Sequence, residues 1–327
     1  MSRIAASVLI LTIVLTGACA QAQRAARPEG PTYIDPKEAG PDFATQGEYV
    51  TDKSAAQPYG VQVVALGDGK FEVVVLAGGL PGDGWDTKSR VELKAARKGD
   101  AADIEPHKGF SGSIADGSLS LATPDSGKLT LKKVERQSPR AGAQPPSEAT
   151  VLFDGTNTDD WQNGKIDERH LLVDGARTKK KYQDFTMHVE YILPFKPLAR
   201  DQERGNSGVY LQDRYEVQIL DTFGHPAEFN GAGSMYRQHA PSVNMCYPPL
   251  QWQTYDIEFH AAKFDAGGKK IQDAEVTLNH NGVIVQDHYK LKAKTGAGHP
   301  EGPQPGPIWL QEHHNPVFFR NVWIVEK

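Results

Sequence analysis

The stretch Gly205-Asn206-Ser207-Gly208-Val209-Tyr210-Leu211-Gln212-Asp213-Arg214-Tyr215-Glu216-Val217-Gln218-Ile219-Leu220-Asp221 decides the fold. It holds two alternating runs joined by a polar turn. Val209 and Leu211 alternate with Tyr210 and Gln212; after Asp213-Arg214, Tyr215, Val217 and Ile219 alternate with Glu216, Gln218 and Leu220. A period of two sends one set of side chains into a core and the other onto the opposite face of a strand. The stretch therefore predicts a hairpin with an open face carrying Tyr210, Gln212, Glu216 and Gln218. One phenol, two amides and one carboxylate suit a polyhydroxylated ligand.

The same pattern continues on both sides. Phe185–Leu193 places Phe185, Met187, Val189 and Tyr191 on one face, and Thr254–His260 alternates Tyr255, Ile257 and Phe259 with Asp256, Glu258 and His260. Ala274–Asn279 and Val283–His288 flank Asn281-Gly282, a type I′ hairpin signal. Val151–Phe153, Pro307–Glu312 and Val317–Val325 complete a second domain, 149–327. The long irregular segment between Asp221 and Thr254 predicts a lid or binding loop. Residues 43–136 read as a small antiparallel β domain. Val61–Leu66 and Phe71–Leu76 flank the turn Gly67-Asp68-Gly69, and the strands Arg90–Ala95, Phe110–Ile114, Ser118–Ala122 and Lys128–Val134 follow. No catalytic cluster stands in this domain, so a structural or docking role is expected. Residues 137–148 read as a Pro-rich linker, and residues 21–42 as a disordered leader.

Composition fits this picture. With 327 residues, 39% hydrophobic and 24% charged, the chain is long enough for two domains with a well-buried core. Its 32 Gly and 22 Pro favour short strands and tight turns. A formal charge of −5 with no basic run beyond Lys179-Lys180-Lys181 excludes a nucleic-acid footprint. Arg3, the apolar run Val8–Leu15 and Ala18-Cys19-Ala20 read as a signal peptide over residues 1–20. The run is too short for a transmembrane span, and a secreted or periplasmic location follows. A second reading makes Cys19 a lipid anchor at the cell envelope; Thr16 stands where such signals carry Leu, which favours ordinary secretion. Cleavage after Ala20 leaves Cys246 as the only cysteine, read as a buried inert thiol because no basic neighbour activates it.

Several short motifs stand in order along the second domain. They are Leu152-Phe153-Asp154-Gly155, Asp184-Phe185, Asn206-Ser207-Gly208-Val209-Tyr210, Tyr215-Glu216-Val217-Gln218-Ile219-Leu220-Asp221 and Trp252-Gln253-Thr254-Tyr255-Asp256, then Asn279-His280-Asn281-Gly282, Gly306-Pro307-Ile308-Trp309-Leu310-Gln311 and Phe319-Arg320-Asn321-Val322. As a series they resemble the 3-keto-disaccharide hydrolase family. The resemblance implies an all-β chain in which a concanavalin A-like jelly-roll sandwich follows the small β domain. It also implies action on glycosides already oxidised at C3. The first domain resembles an N-terminal module attached to such domains in planctomycete-like bacterial proteins, and no activity comes with it. Two departures stand out: His313-His314 replaces a His-Gly-like pair, and the insert Lys196–Arg204 falls at a variable place, so substrate range does not carry over.

A ketone at C3 acidifies the neighbouring C2–H. A base removes that proton to give an enolate, the C1 substituent leaves, and water added afterwards completes a net hydrolysis. Such a site needs one base, one group to stabilise the enolate oxygen, and polar groups for the hydroxyls. It does not need the two opposed carboxylates of a usual glycosidase. Glu216 is the candidate base, its alternative a solvated strand carboxylate. His313 is the candidate second acid/base or ketone-polarising group. Trp309, Gln311 and His313 share one face, so Trp309 and Gln311 join Asn206, Tyr210, Gln212, Gln218 and Arg320 as candidate substrate-binding residues. Glu216-Val-Gln218-Ile-Leu-Asp221 has the carboxylate spacing of concanavalin A-like glycanases with the central acid replaced by Gln218, and strict alternation puts Asp221 opposite Glu216. No metal-binding motif is present. A divalent ion requires the fold to gather Asp213, Glu216, Asp221 and His313. Three functions remain open: a hydrolase or lyase of 3-keto-glycosides, with an ordinary glycoside hydrolase as its variant; a non-catalytic, lectin-like carbohydrate-binding module; and an envelope-anchored interaction protein.

Overall fold

A computed structural model describes residues 30–327 apart from 53 and 126. The signal-peptide reading, with Cys19 and the cut after Ala20, lies outside the described residues. Among those residues, no helix is long and apolar enough to cross a membrane.

The first domain is an eight-stranded closed barrel. Its strands follow one another as a meander, and Gly47–Val50 pairs with the last, Gly127–Val134, to shut the ring. Closure removes both free edges, which a small sheet would otherwise leave unpaired. Alternation fills the interior with Val61, Val63, Ala65, Phe71, Val73, Val75 and their partners. The strands Gly47–Val50 and Ala101–His107 escaped the sequence reading. The first is four residues long, and the second carries a proline and a terminal histidine.

Residues 33–45, most of which the sequence alone assigned to an unordered leader, are packed instead. Tyr33 and Phe195 exchange backbone hydrogen bonds of 3.0 and 2.9 Å, and the helix Gly40–Thr45 follows. Asp42 on that helix takes the Arg97 guanidinium at 3.0 Å and the Gly69 amide at 2.9 Å. Phe43 and Tyr33 both lie against Phe195, which belongs to the apolar cluster of the barrel although it comes from the second domain.

The second domain is the expected two-sheet sandwich. One sheet has five strands, with Trp309–Leu310 in its middle and Asn206–Leu211 beside it. The other has seven, with Phe185–Ile192 and Trp252–His260 in its middle and Phe318–Glu326 next to Phe185–Ile192. Between them lies a single apolar core. Met187, Val189, Tyr191, Ile257 and Phe259 from the larger sheet meet Val209, Leu211, Tyr215, Val217 and Ile219 from the smaller. The Asn281-Gly282 turn forms with both residues at positive φ, as its sequence requires. Cys246 is buried, and burial pushes its thiol up to about 12.

The segment read as a flexible linker is fixed to the outer face of the larger sheet. Ser138 and Thr254 hydroxyls are 2.6 Å apart, Arg140 donates twice to Asp256 at 3.1 Å, and the Gly142 amide donates to Glu190 at 2.6 Å. Prolines keep it from joining the sheet, while the polar residues of Phe185–Ile192 and Trp252–His260 that point away from the core give it anchors. Beneath it His188 is fully buried between Asp256, at 2.8 Å, and Glu190, at 3.5 Å. Burial works against the His188 charge, but the bonds to both carboxylates outweigh it and raise its pKa. Glu190 also suffers burial, yet its bonds to His188, Asn321, Gly142 and Arg320 bring it down to about 2.

Candidate active site

Strands Asn206–Leu211 and Tyr215–Leu220 pair with Tyr210 opposite Glu216 and Gly208 opposite Gln218. Tyr210, Glu216 and Gln218 point away from the sandwich core, as their period predicts. The face they occupy is not open, however; none of the three is more than 3% exposed. Two loops roof it. The Glu216 amide donates to Thr295 Oγ1 at 2.6 Å, and the Glu216 carbonyl accepts from the Tyr236 amide at 3.1 Å. The Gln218 amide donates to the Ser234 carbonyl at 3.0 Å. The segment 231–236, part of the irregular stretch between Asp221 and Thr254, thus runs as an added edge along Tyr215–Leu220.

Under this roof is a pocket of about 160 Å³ lined by Gln202, Asn206, Tyr210, Glu216, Gln218, Tyr236, Ala297, Gln311 and His313. Glu216 is the only carboxylate among them. Burial pushes its carboxyl up to about 7, while a 2.8 Å hydrogen bond from the Tyr210 hydroxyl works in the opposite direction. A carboxyl with that pKa exchanges a proton readily near neutrality. Its side chain lies across Gly208, where an added Cβ would stand 2.7 Å from Oε1 and 2.9 Å from Cγ. Turned to meet acceptors, the Gln218 amide donates to Glu216 Oε1 at 3.1 Å and to the Ser207 carbonyl at 2.8 Å.

On the other side of the pocket, Gln311 is fixed through its backbone. Its amide donates to the Gly208 carbonyl at 2.9 Å, and its carbonyl accepts from Ser207 Oγ at 2.7 Å. Its side-chain Oε1 is buried with no hydrogen-bond partner, an arrangement that a ligand hydroxyl would relieve. His313 is exposed at the mouth. Its carbonyl accepts from Asn315 Nδ2 at 2.8 Å, and Asn315 Oδ1 accepts from the buried Lys196 ammonium at 2.7 Å.

Six of the nine residues expected at the site therefore meet: Glu216, His313, Asn206, Tyr210, Gln218 and Gln311. Three do not. Gln212 falls after its strand has ended, at φ +54°, and its amide donates to the Tyr182 carbonyl at 2.9 Å. Trp309 stands beside Tyr210 on the sheet but does not line the pocket. Its ring is flanked by Tyr210 at 4.6 Å and the Arg177 guanidinium at 4.7 Å, so it backs the tyrosine and offers no free stacking face. Arg320 belongs to the other sheet, bonded to Glu190 at 2.8 Å and laid over Trp252 at 3.9 Å.

Of the four groups considered for a divalent ion, only Glu216 and His313 share the pocket. Asp213 pairs with Arg177 at 3.0 Å, and Asp221 pairs with Arg204 at 2.7 Å. Among the described residues, no three His, Cys, Asp or Glu side chains gather in a ligating group. Gln202, Tyr236 and Ala297 were missed. Gln202 sits in the variable insert and Tyr236 in the irregular segment, so only their loops were flagged. Nothing in Gly296-Ala297-Gly298 signals a site.

A two-sheet β sandwich with a polar pocket floored by one carboxylate has the build of a glycosyl hydrolase-like, carbohydrate-active protein. Residues 148–325, more than half of the chain, match the model of the 3-keto-alpha-glucoside-1,2-lyase-like domain, and the chain belongs to that family. A solved structure from Parabacteroides distasonis, classed as a glycosyl hydrolase, is 34% identical over 56% of this chain and 85% of its own, with a TM-score of 0.52. A second protein of that class from the same organism is 18% identical over 59% of this chain and 98% of its own, with a TM-score of 0.41. No curated protein matches the chain.

Proposed function

We propose that the protein cleaves 3-keto-glycosides by elimination across C1 and C2 followed by addition of water. The observation that carries this reading is the lone, buried Glu216 carboxylate with its pKa near 7, in a pocket otherwise lined by amides, phenols and one imidazole. Glu216 removes the proton at C2, whose acidity comes from the neighbouring ketone. The electron pair passes to the ketone oxygen as an enolate, then returns to form the C1–C2 double bond as the C1–O bond breaks. His313, at the mouth, gives the departing oxygen its proton, so an alcohol leaves. Water then adds at C1, giving its spare proton back to His313, while C2 regains a proton from Glu216, and the sum is hydrolysis. Asn206, Gln218 and Gln311 bind hydroxyls, and the unpartnered Gln311 Oε1 takes one of them.

An ordinary glycosidase places two carboxylates on either side of the scissile bond, about 5–9.5 Å apart. A pocket with one carboxylate supports elimination instead. A family whose model is named for a 3-keto-alpha-glucoside 1,2-lyase supports the same choice. Secretion into the periplasm or medium, where glycosides are met, completes the proposal. The test is incubation of a 3-keto-disaccharide and its unoxidised parent in deuterated water. Release from the keto sugar alone, with deuterium at C2 of the product, is expected. Cleavage of the parent would overturn the reading in favour of a glycosidase, and binding without cleavage of either would favour a lectin.

A further inference from the structure

The loop 196–204 carries Gln202 into the pocket wall, and the barrel holds this loop at Leu198, Arg200 and Arg204. Arg200 Nη2 donates to the Leu66 carbonyl at 2.6 Å, and the buried Arg204 donates to the Ala65 carbonyl at 3.3 Å while pairing with Asp221. Leu198 is pressed so closely on the same hairpin that a Cβ at Gly67 would come within 2.3 Å of its Cδ2. Phe195, at the root of the loop, is part of the apolar cluster of the barrel. The second pocket wall is held in the same way, since Arg90 on the barrel donates to the Gly224 carbonyl at 2.6 Å.

Gln202 also separates two hollows. On one side lies the pocket of Glu216; on the other lies a hollow of about 80 Å³ bordered by Asp201, Thr222, His225, Glu228 and Asn230. Gln202 Oε1 accepts from Asn206 Nδ2 at 3.3 Å on the first side, and its Nε2 donates to the Asn230 carbonyl at 3.2 Å on the second. A chamber of about 160 Å³ has the scale of a single sugar ring. The adjoining hollow, half that size, offers carboxylates, a hydroxyl and an imidazole, partners for the hydroxyls along one edge of a second ring.

From this geometry we infer that the barrel is a positioning domain for substrate selection: it holds Gln202 between the keto-sugar pocket and a second subsite that binds a leaving group made of sugar. The inference rests on the proposed 3-keto-glycoside chemistry and deepens it. Arg200 acts through the loop and touches no substrate, so it is a positioning residue.

The test compares a 3-keto-disaccharide with the corresponding methyl 3-keto-glycoside on the full chain and on Arg200→Met. The variant is expected to raise KM for the disaccharide about five- to tenfold, to leave kcat within about twofold, and to change the methyl glycoside by less than about twofold in both constants. Arg200→Lys, which keeps a donor, is expected to recover part of the loss. Equal effects on both substrates, or a fall in kcat alone, would overturn the inference. If Arg200→Met does not fold, Gln202→Ala carries the same comparison, and an unchanged ratio of the two KM values would overturn it. Turnover of neither substrate by the unaltered protein would refute the chemistry itself, an outcome distinct from the others.

Discussion

Replacing Glu216 by Gln tests the central geometry without needing a substrate. The carboxyl sits almost fully buried, and burial lifts it from an ordinary 4.5 to about 7. The folded protein therefore keeps this proton about 2.5 pH units longer than the unfolded chain does. A raised carboxyl favours folding below the unfolded pKa, and that advantage is lost as pH climbs from 4.5 through about 7. At 1.4 kcal/mol per unit the loss is roughly 3 kcal/mol by about pH 8. Glutamine has the shape of the neutral acid and can still accept from the Tyr210 hydroxyl, so Glu216→Gln escapes the penalty. Denaturant titrations should give equal stabilities for the two proteins near pH 4.5, and a variant more stable by roughly 3 kcal/mol near pH 8. The same variant should have no turnover. Stability curves that stay parallel from pH 4.5 to 8 would refute the burial argument. Residual turnover at more than about one part in a hundred would remove Glu216 as base.

Other perturbations probe the neighbours. Tyr210→Phe deletes the bond that holds the Glu216 pKa down, so the acid limb of the pH–rate profile should move to higher pH and activity at pH 7 should fall about three- to tenfold; an unmoved limb would detach Tyr210 from the base. Gly208→Ala puts a methyl group 2.7 Å from Glu216 Oε1, and kcat/KM should drop roughly 10- to 100-fold with little change in substrate affinity. Glu190→Gln removes the charge that Arg320 pairs with and turns one of the two acceptor oxygens, which serve Arg320 on one side and Asn321 and the Gly142 amide on the other, into a donor. It should cost roughly 2–3 kcal/mol near neutral pH and speed tryptic cutting after Arg140. Because Glu190 is held down to about 2, its contribution is present above 4.5 and is lost as pH falls toward about 2, so the two proteins should converge in acid.

Alternation was enough to identify the strands that matter and to separate core from site on Asn206–Leu211 and Tyr215–Leu220. It also placed Gln311 and His313 on the face of Tyr210, because Trp309 and Tyr210 are directly paired. It failed where a strand stops early. Gln212 turns out of the period at positive φ, and no pattern of polarity signals that turn. It also could not foresee the roof. A strand face reads as open unless distant residues cover it, and here Thr295 and Tyr236 do so from loops with no period of their own. The linker misled for a related reason. Its prolines announce an absence of regular structure, whereas its attachment depends on Asp256 and Glu190, more than forty residues away in sequence.

The placement of Phe318–Glu326 has a consequence for how the chain matures. This strand is an inner member of the seven-stranded sheet, bonded to Phe185–Ile192 along one side and to the short strands Leu172–Val173 and Thr150–Phe153 along the other. The barrel needs nothing beyond residue 134 to close its ring and can form while synthesis continues. The sandwich must wait until this inner plank has emerged. Trimming residues 318–326 would split that sheet in two, where the loss of an outer strand would only narrow it.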